Sequence, residues 1–276
     1  MICSPIRGQV TTFVTLSLLL CLLSTGAYGG PSTRIITLAP NVTEAVYALG
    51  QGGKVVAVSR QCNYPPAVRQ KPRVGDMANP SLEAIVTLKP DLVILTDDGN
   101  PRHIWERLRT LNIPTYVYRP RRLKDLSGEI RRLGAALGVY RAAEELARGV
   151  ESHMKRYLAE RPGRGKRAFF LLQVEPLIVA GPRTAIDDVM NLLGLKNIAS
   201  PFGVNYPVLS REEIVSAAPE VIFVGHGGGK GEIMKWKELP AVRTGHVFTV
   251  GSAVLRLSPR IVEGIDEMAA FVRNLP

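Results

Sequence analysis

The strongest constraint on the fold is a fifteen-residue segment that occurs twice. Residues 81–95, Ser81-Leu-Glu83-Ala-Ile85-Val86-Thr-Leu-Lys-Pro90-Asp91-Leu-Val-Ile-Leu, align without gaps on residues 210–224, Ser210-Arg-Glu212-Glu-Ile214-Val215-Ser-Ala-Ala-Pro219-Glu220-Val-Ile-Phe-Val, at an offset of 129. Ser, Glu, Ile, Val and Pro are identical, and an acid follows each Pro. Both copies have the same physical reading. Ser caps a helix N-terminus, Glu83 or Glu212 suits the first turn by its charge, Pro stops the helix, and an apolar run forms a buried parallel strand. A chain that carries this unit twice is expected to build two halves of one topology.

The rest of the sequence alternates in the same way. Strand-length apolar runs fall at 34–38, 55–58, 92–95 and 115–118, then at 168–172, 221–224 and 247–250. Between them lie helical patterns at 42–49, 82–88, 104–111 and 126–137, then at 185–193, 212–217 and 259–275. Such alternation predicts βαβ units and sheets that are mainly parallel. Residues 140–160 place Ala143, Leu146, Ala147, Val150, Met154, Tyr157 and Leu158 three and four apart, which predicts one helix of about five to six turns. The expected organisation is a signal peptide at 1–29, an N-terminal α/β lobe at 30–138, a connecting helix at 139–162 and a C-terminal α/β lobe at 163–276.

The signal peptide rests on Arg7, an apolar run over 13–23 and small residues near Gly29. A membrane anchor needs about 20 apolar residues, and this run is shorter. Leu18-Leu19-Leu20-Cys21 resembles a lipoprotein box, but Leu20 is too bulky for the position before a lipidated Cys, so a lipid-anchored form is only the alternative. Removal of 1–29 takes Cys3 and Cys21 with it, and Cys62 then has no partner for an internal disulfide. A hydrophobic content of 46% with 21% charged residues excludes a disordered chain. The net charge of +11 becomes +10 in the mature chain, 34 Lys and Arg against 24 acids.

In parallel sheets, ligands bind beyond the carboxyl ends of the strands, and two facing sheets form a cleft. The strand-end loops at 62–66, 76–80, 96–100, 173–176, 202–207, 225–229 and 255–257 are therefore candidates. These loops and the repeat resemble the helical-backbone (class III) solute-binding proteins of bacterial ABC importers, which carry cobalamin, haem and ferric siderophores. The resemblance spans the mature chain. It rests on 34–44 (Arg34-Ile-Ile-Thr-Leu-Ala-Pro-Asn-Val-Thr-Glu44), Asn63-Tyr64-Pro65-Pro66, 79–91, the long helix, Ser210-Arg-Glu212 and Leu257-Ser-Pro259-Arg260-Ile261. It is closest to the cobalamin-binding branch. It implies two Rossmann-like lobes joined by one long rigid helix, a ligand cleft between them, modest closure on the ligand, no catalysis and no cofactor.

The resemblance also assigns roles. One Glu per lobe, Glu83 and Glu212, would dock onto arginines of an ABC permease dimer driven by a cytoplasmic ATPase; helix-dipole complementation is the other reading of both. Tyr64 and Tyr206 match positions that surround the corrin, whereas Met77 and Thr96 stand where that pattern has aromatics. Tyr64 packing under its own loop is an open alternative. Haem-binding relatives present a Tyr in the loop that here reads Gly75-Asp76-Met77-Ala78, and Asp is a poor substitute for a phenolate. Arg256 would suit an anionic ferric siderophore. Glu175 and Leu255 complete the expected ligand-binding set, together with His226, which either coordinates a metal or turns its ring to solvent among glycines. No resident metal site is expected, because no H-x-x-x-H or C-x-x-C spacing exists.

Two other classes compete. For an enzyme, the chain has no G-x-S-x-G elbow, and the glycines at 225–231 fit neither P-loop nor dinucleotide spacing. For nucleic-acid binding, the basic runs at 119–124, 131–132 and 155–167 lack interleaved aromatics beyond Tyr157 and read as solvated surface. The expected protein is a monomer exported to the periplasm that binds a small molecule.

Overall fold

The two copies of the repeat fold alike in a computed structural model, which describes residues 32–225 and 229–275; the expected signal peptide and His226 lie outside the described residues. The first sheet comprises β1 (Ile35–Thr37), β2 (Val55–Val58), β3 (Leu92–Thr96) and β4 (Thr115–Tyr118), all parallel, in the order β2-β1-β3-β4. Its helices are α1 (Pro40–Ala48), α2 (Leu82–Thr87), α3 (Arg102–Thr110) and α4 (Leu126–Ala136). The chain then runs through α5 (Tyr140–Glu160) into a second sheet of β5 (Arg167–Gln173), β6 (Ile178–Val179), β7 (Lys196–Asn197), β8 (Val221–Gly225) and β9 (Val247–Val250). Its order is β6-β5-β8-β9, with β7 beside β5, and only β6 is antiparallel to its neighbour. The helices here are α6 (Ala185–Leu192), α7 (Arg211–Ala217), α8 (Lys230–Ile233), α9 (Pro240–Arg243) and α10 (Ile261–Arg273). This is the expected α/β architecture with mainly parallel sheets. The short β6, β7, α8 and α9 have no counterpart in the sequence pattern, because segments this short leave no period to count.

The repeat accounts for the core of each sheet. β3 and β8 are buried along their whole length, with neighbours on both sides, so their unbroken apolar runs face helices above and below. Ser81 and Ser210 cap α2 and α7, as expected, by accepting from the backbone N–H of Ala84 and Glu213. Each helix is followed by a residue in the left-handed region, Lys89 and Ala218, directly before the Pro. The acid after that Pro has a task the sequence did not disclose. Asp91 accepts from the backbone N–H of Arg34 at 3.1 Å, and Glu220 accepts from that of Arg167 at 3.0 Å. In return, Arg34 and Arg167 donate to the carbonyls of Leu88 and Ala218 at the helix ends. Each copy thus clips its helix and central strand to the start of the neighbouring strand, β1 or β5.

The helix α5 runs unbroken through 21 residues. It buries Ala143, Ala147, Val150 and Tyr157. The spacing also puts Leu158 with these residues, but its side chain is exposed. One residue beyond Tyr157 lies more than a quarter-turn further round the helix, past the edge of the buried face. Arg131 of α4 forks onto Glu144 and Glu151 of α5, each at 2.7 Å. Hydrogen bonds from Arg131 and then Arg148 hold the Glu144 carboxyl down to about 2. Near the other end, the buried Tyr157 donates to Asp266 of α10 at 2.6 Å, and Arg273 pairs with Glu160. One helix is therefore fastened to both lobes.

A second connection is buried. Glu44 of α1, 3% exposed, accepts from Arg256 at 2.6 Å, from Arg260 at 2.9 Å and from the Ser258 hydroxyl. Arg256 also donates to the Asn63 side chain at 3.0 Å, and the Arg260 guanidinium lies over the Tyr64 ring at 4.1 Å. The motif ending in Glu44 and the motif around Pro259, far apart in the chain, are two sides of one ion-pair cluster.

Two stability outcomes follow from these contacts. Asp91→Ala and Glu220→Ala should each cost about 1–3 kcal/mol in urea unfolding, as both remove charged acceptors from strand-start N–H groups. Glu44→Gln should cost about 3–5 kcal/mol, because it removes the anion that two partly buried arginines share and leaves Arg260 only the longer contact to Glu263; a change below about 1 kcal/mol would show that the cluster does not bind the lobes together.

Candidate ligand-binding cleft

The strand-end loops of both sheets enclose a cavity of about 510 Å³. From the first lobe it is lined by the start of α1, by Gln61, Met77 and Asp98, and by the turn at 120–122 after β4. The second lobe supplies Arg183 and the start of α6, then Asn205 and Tyr206, and the segment 254–257. Of the eight expected ligand-binding residues, Met77, Tyr206, Leu255 and Arg256 meet here.

Thr96, Tyr64 and Glu175 are placed differently, and His226 lies outside the described residues. Thr96 ends β3 and is 2% exposed; its N–H donates to Asn100 and its hydroxyl accepts from the N–H of Asp98, so it shapes the turn rather than the cavity wall. Tyr64 does not line the cavity but sits beside it under Arg260, as part of the ion-pair cluster. Glu175 is exposed in the turn between β5 and β6, and its carbonyl accepts from Gln173. Glu83 and Glu212 are also exposed, each in the first turn of its helix and outside the cavity.

Several residues that build the site carry no obvious sequence signal. Asn100 is buried and ties three loops together, accepting from Thr96 and donating to the carbonyls of Leu38 and Met77. The Gln61 side chain accepts from the N–H of Met77 at 3.0 Å, so Met77 is held by its backbone on both sides. Arg121 and Arg122 belong to the basic run that reads as solvated surface. Instead they form part of the cavity wall; Arg121 pairs with Asp97, and Arg122 pairs with Asp188 of α6 across the cleft. The available signal was their position just beyond the carboxyl end of β4, where parallel sheets put their ligands. On the second lobe, Thr184 caps α6 through the N–H of Asp187, which sets Ala185 and Ile186 against the cavity.

The chemistry of the site is mixed. Phe202, Val204, Tyr206 and Val208 are exposed along one loop, and of these Tyr206 lines the cavity together with the exposed Leu255. Tyr206 is 59% exposed, and its phenol is nonetheless raised above its ordinary value by partial desolvation and then by the charge of Asp98. Four arginines, with Asp98 as the single acid, complete the lining. Among the described residues, no group of His, Cys, Asp and Glu is arranged to hold a metal ion.

Comparison with known proteins agrees with this architecture. Residues 35–254 match the family described as periplasmic binding protein. The vitamin B12-binding protein of Vibrio parahaemolyticus is 31% identical over 250 residues, which cover 89% of this chain and 91% of that protein. Among solved structures, the periplasmic vitamin B12 binding protein BtuF of Vibrio cholerae superposes with a TM-score of 0.78 at 28% identity, covering 88% of this chain and 97% of that one. The periplasmic heme-binding protein RhuT from Roseiflexus sp. RS-1 superposes with a TM-score of 0.80 at 28% identity, covering 88% and 98%. With two related sheets, one connecting helix and a cleft between their strand ends, the chain belongs to the periplasmic binding protein family.

Proposed function

We propose that this protein is the periplasmic substrate-binding component of an ABC importer, exported by residues 1–29, which captures cobalamin or a related corrinoid between its lobes. The observation that carries this reading is a cavity whose lining joins the exposed Tyr206 and Leu255 to polar walls. A corrin presents a broad apolar face fringed with amides, and exposed apolar side chains beside a polar cavity suit that pattern. The relatives named vitamin B12-binding protein favour it further.

Haem is the second reading, favoured by the similarity to a heme-binding protein. The chemistry of the site ranks it lower. A tyrosine that holds ferric haem acts as a phenolate, and partial desolvation followed by the charge of Asp98 shifts the Tyr206 phenol upward, away from that form. Asp76, where haem-binding relatives carry Tyr, is paired with Arg60 at 3.4 Å.

Delivery to a permease dimer would use Glu83 and Glu212. The capping tasks at both helices are filled by Ser81, and by Ser210 with Glu213, so neither glutamate is needed as a cap. Neither carboxylate has a partner among the described residues, and the two occupy equivalent places in the two copies of the repeat. Two exposed acids on equivalent units suit a receptor built from two equivalent subunits, through charge-assisted pairs.

Calorimetry of the mature protein with cyanocobalamin, hemin and a ferric siderophore tests the ligand. Micromolar or tighter binding of cyanocobalamin is expected, and its failure alongside hemin binding would transfer the site to the second reading. The Glu83→Ala/Glu212→Ala pair is expected to abolish vesicle uptake through the reconstituted permease with cyanocobalamin affinity unchanged; a collapse of affinity would refute the docking role.

A further inference from the structure

Four arginines line the cavity, and three of them already have anions. Arg121 is paired with Asp97, Arg122 with Asp188 and Arg256 with Glu44. Arg183 differs: among the described residues its guanidinium donates only to the carbonyl of Gly203. It therefore faces the cavity with an uncompensated charge and with most of its N–H donors free.

Its backbone is built to hold it there. Arg183 is a non-glycine residue with positive φ. L residues avoid that left-handed conformation, and the surroundings must enforce it. The Thr184 hydroxyl donates to the carbonyl of Gly181 at 2.9 Å, and the Gly181 N–H donates to the carbonyl of Asn205 at 2.8 Å. A Cβ at Gly181 would stand 2.2 Å from the carbonyl oxygen of Val204, so the loops at 181–184 and 203–205 pack backbone against backbone. Arg183 is thus fastened to the same loop that carries Tyr206. On the first-lobe wall stands Asp98, whose carboxylate has no partner among the described residues. The cavity consequently has a positive group on one wall and a negative group on the other.

We infer that Arg183 recognises an anionic group of the ligand and fixes which way round the ligand sits, with Asp98 repelling that group from the first-lobe wall and accepting from neutral amide donors. This rests on the corrinoid reading and sharpens it. The anion that a complete corrinoid carries is the phosphodiester of its nucleotide loop, while the corrin fringe carries amides. A guanidinium fork is suited to two phosphate oxygens at once. Ala185 and Ile186, in the first turn of α6, lie on the same wall, and the two acids of that turn, Asp187 and Asp188, are already engaged by Asn197 and by Arg122. Arg183 is on this account a specificity-determining residue, which separates phosphate-bearing corrinoids from truncated ones.

The test is a pair of titrations, cyanocobalamin against dicyanocobinamide, which lacks the nucleotide loop and its phosphate. The wild-type protein should favour cyanocobalamin by about ten- to a hundredfold, the range for one charge-assisted contact. In Arg183→Ala that ratio should fall to near one, and in Arg183→Lys it should be intermediate and decline more steeply with salt, since the charge stays but the fork is lost. An unchanged ratio in Arg183→Ala, or an equal fall for both ligands, overturns the role. Wild-type protein that binds both corrinoids alike refutes this inference alone; wild-type protein that binds neither refutes the corrinoid reading and removes the inference with it.

Discussion

The carboxylate of Glu44 is the contact on which the arrangement of the two lobes most depends. It is almost wholly removed from solvent and belongs to the first helix of the first lobe, while its partners Arg256, Ser258 and Arg260 arrive from the far end of the chain. A buried ion pair is not a large net source of stability, because desolvation offsets most of the attraction. Its effect is selective. Any packing of the lobes that separated the groups would leave three charges in a poorly hydrated place, so competing arrangements are penalised more than the native one is rewarded. That constraint sets the path of residues 254–257, and these residues form one wall of the cavity. It also places Asn63 and Tyr64, the latter stacked by Arg260 rather than packed under its own loop alone.

Outside that cluster, the molecule is assembled from one unit used twice. In each copy a serine caps the helix, a left-handed residue ends it, and the acid after the proline holds the start of the adjacent strand while the arginine there holds the helix end. These contacts are short-range in space but join three segments, so helix, central strand and first strand move as one body. The exposed Glu83 and Glu212 gain their equivalence from this. Each is fixed relative to its own sheet by the same clip, and α5 with the Glu44 cluster fixes the sheets to one another. Neither glutamate is part of the cavity lining.

The cleft combines two kinds of complementarity. Tyr206 and Leu255, both exposed in the lining, supply apolar area that does not demand orientation. Orientation must come from directional groups, and most of the charged ones are already neutralised within the protein. Arg183 and Asp98 are the two left over, held on opposite lobes. The held conformations of Met77, Asn100 and Arg183 reduce the ordering that binding would otherwise require.

What could be read in the sequence was what local periodicity and local chemistry decide. Helices α2 and α7, strands β3 and β8, the 140–160 helix and the capping serines all emerged from apolar spacing and cap chemistry, because a helix or strand buries a face set by its own repeat. The limits of that logic are seen at Leu158, apolar but on the outer side of the helix. Membership of the site was legible only in part. Met77, Tyr206, Leu255 and Arg256 lie in strand-end loops and do line the cavity, but Thr96 in the same kind of loop turns inward and bonds with Asn100. Arg121 and Arg122 looked like surface charge because their counter-ions, Asp97 and Asp188, are distant in sequence, and the task of the acids after each Pro, Asp91 and Glu220, was hidden for the same reason. The sequence by itself determined two matching α/β units and the helix between them. Tertiary structure decided which charges are neutralised and which are left to face the cleft, since pairing across a fold depends on distances that no local pattern records.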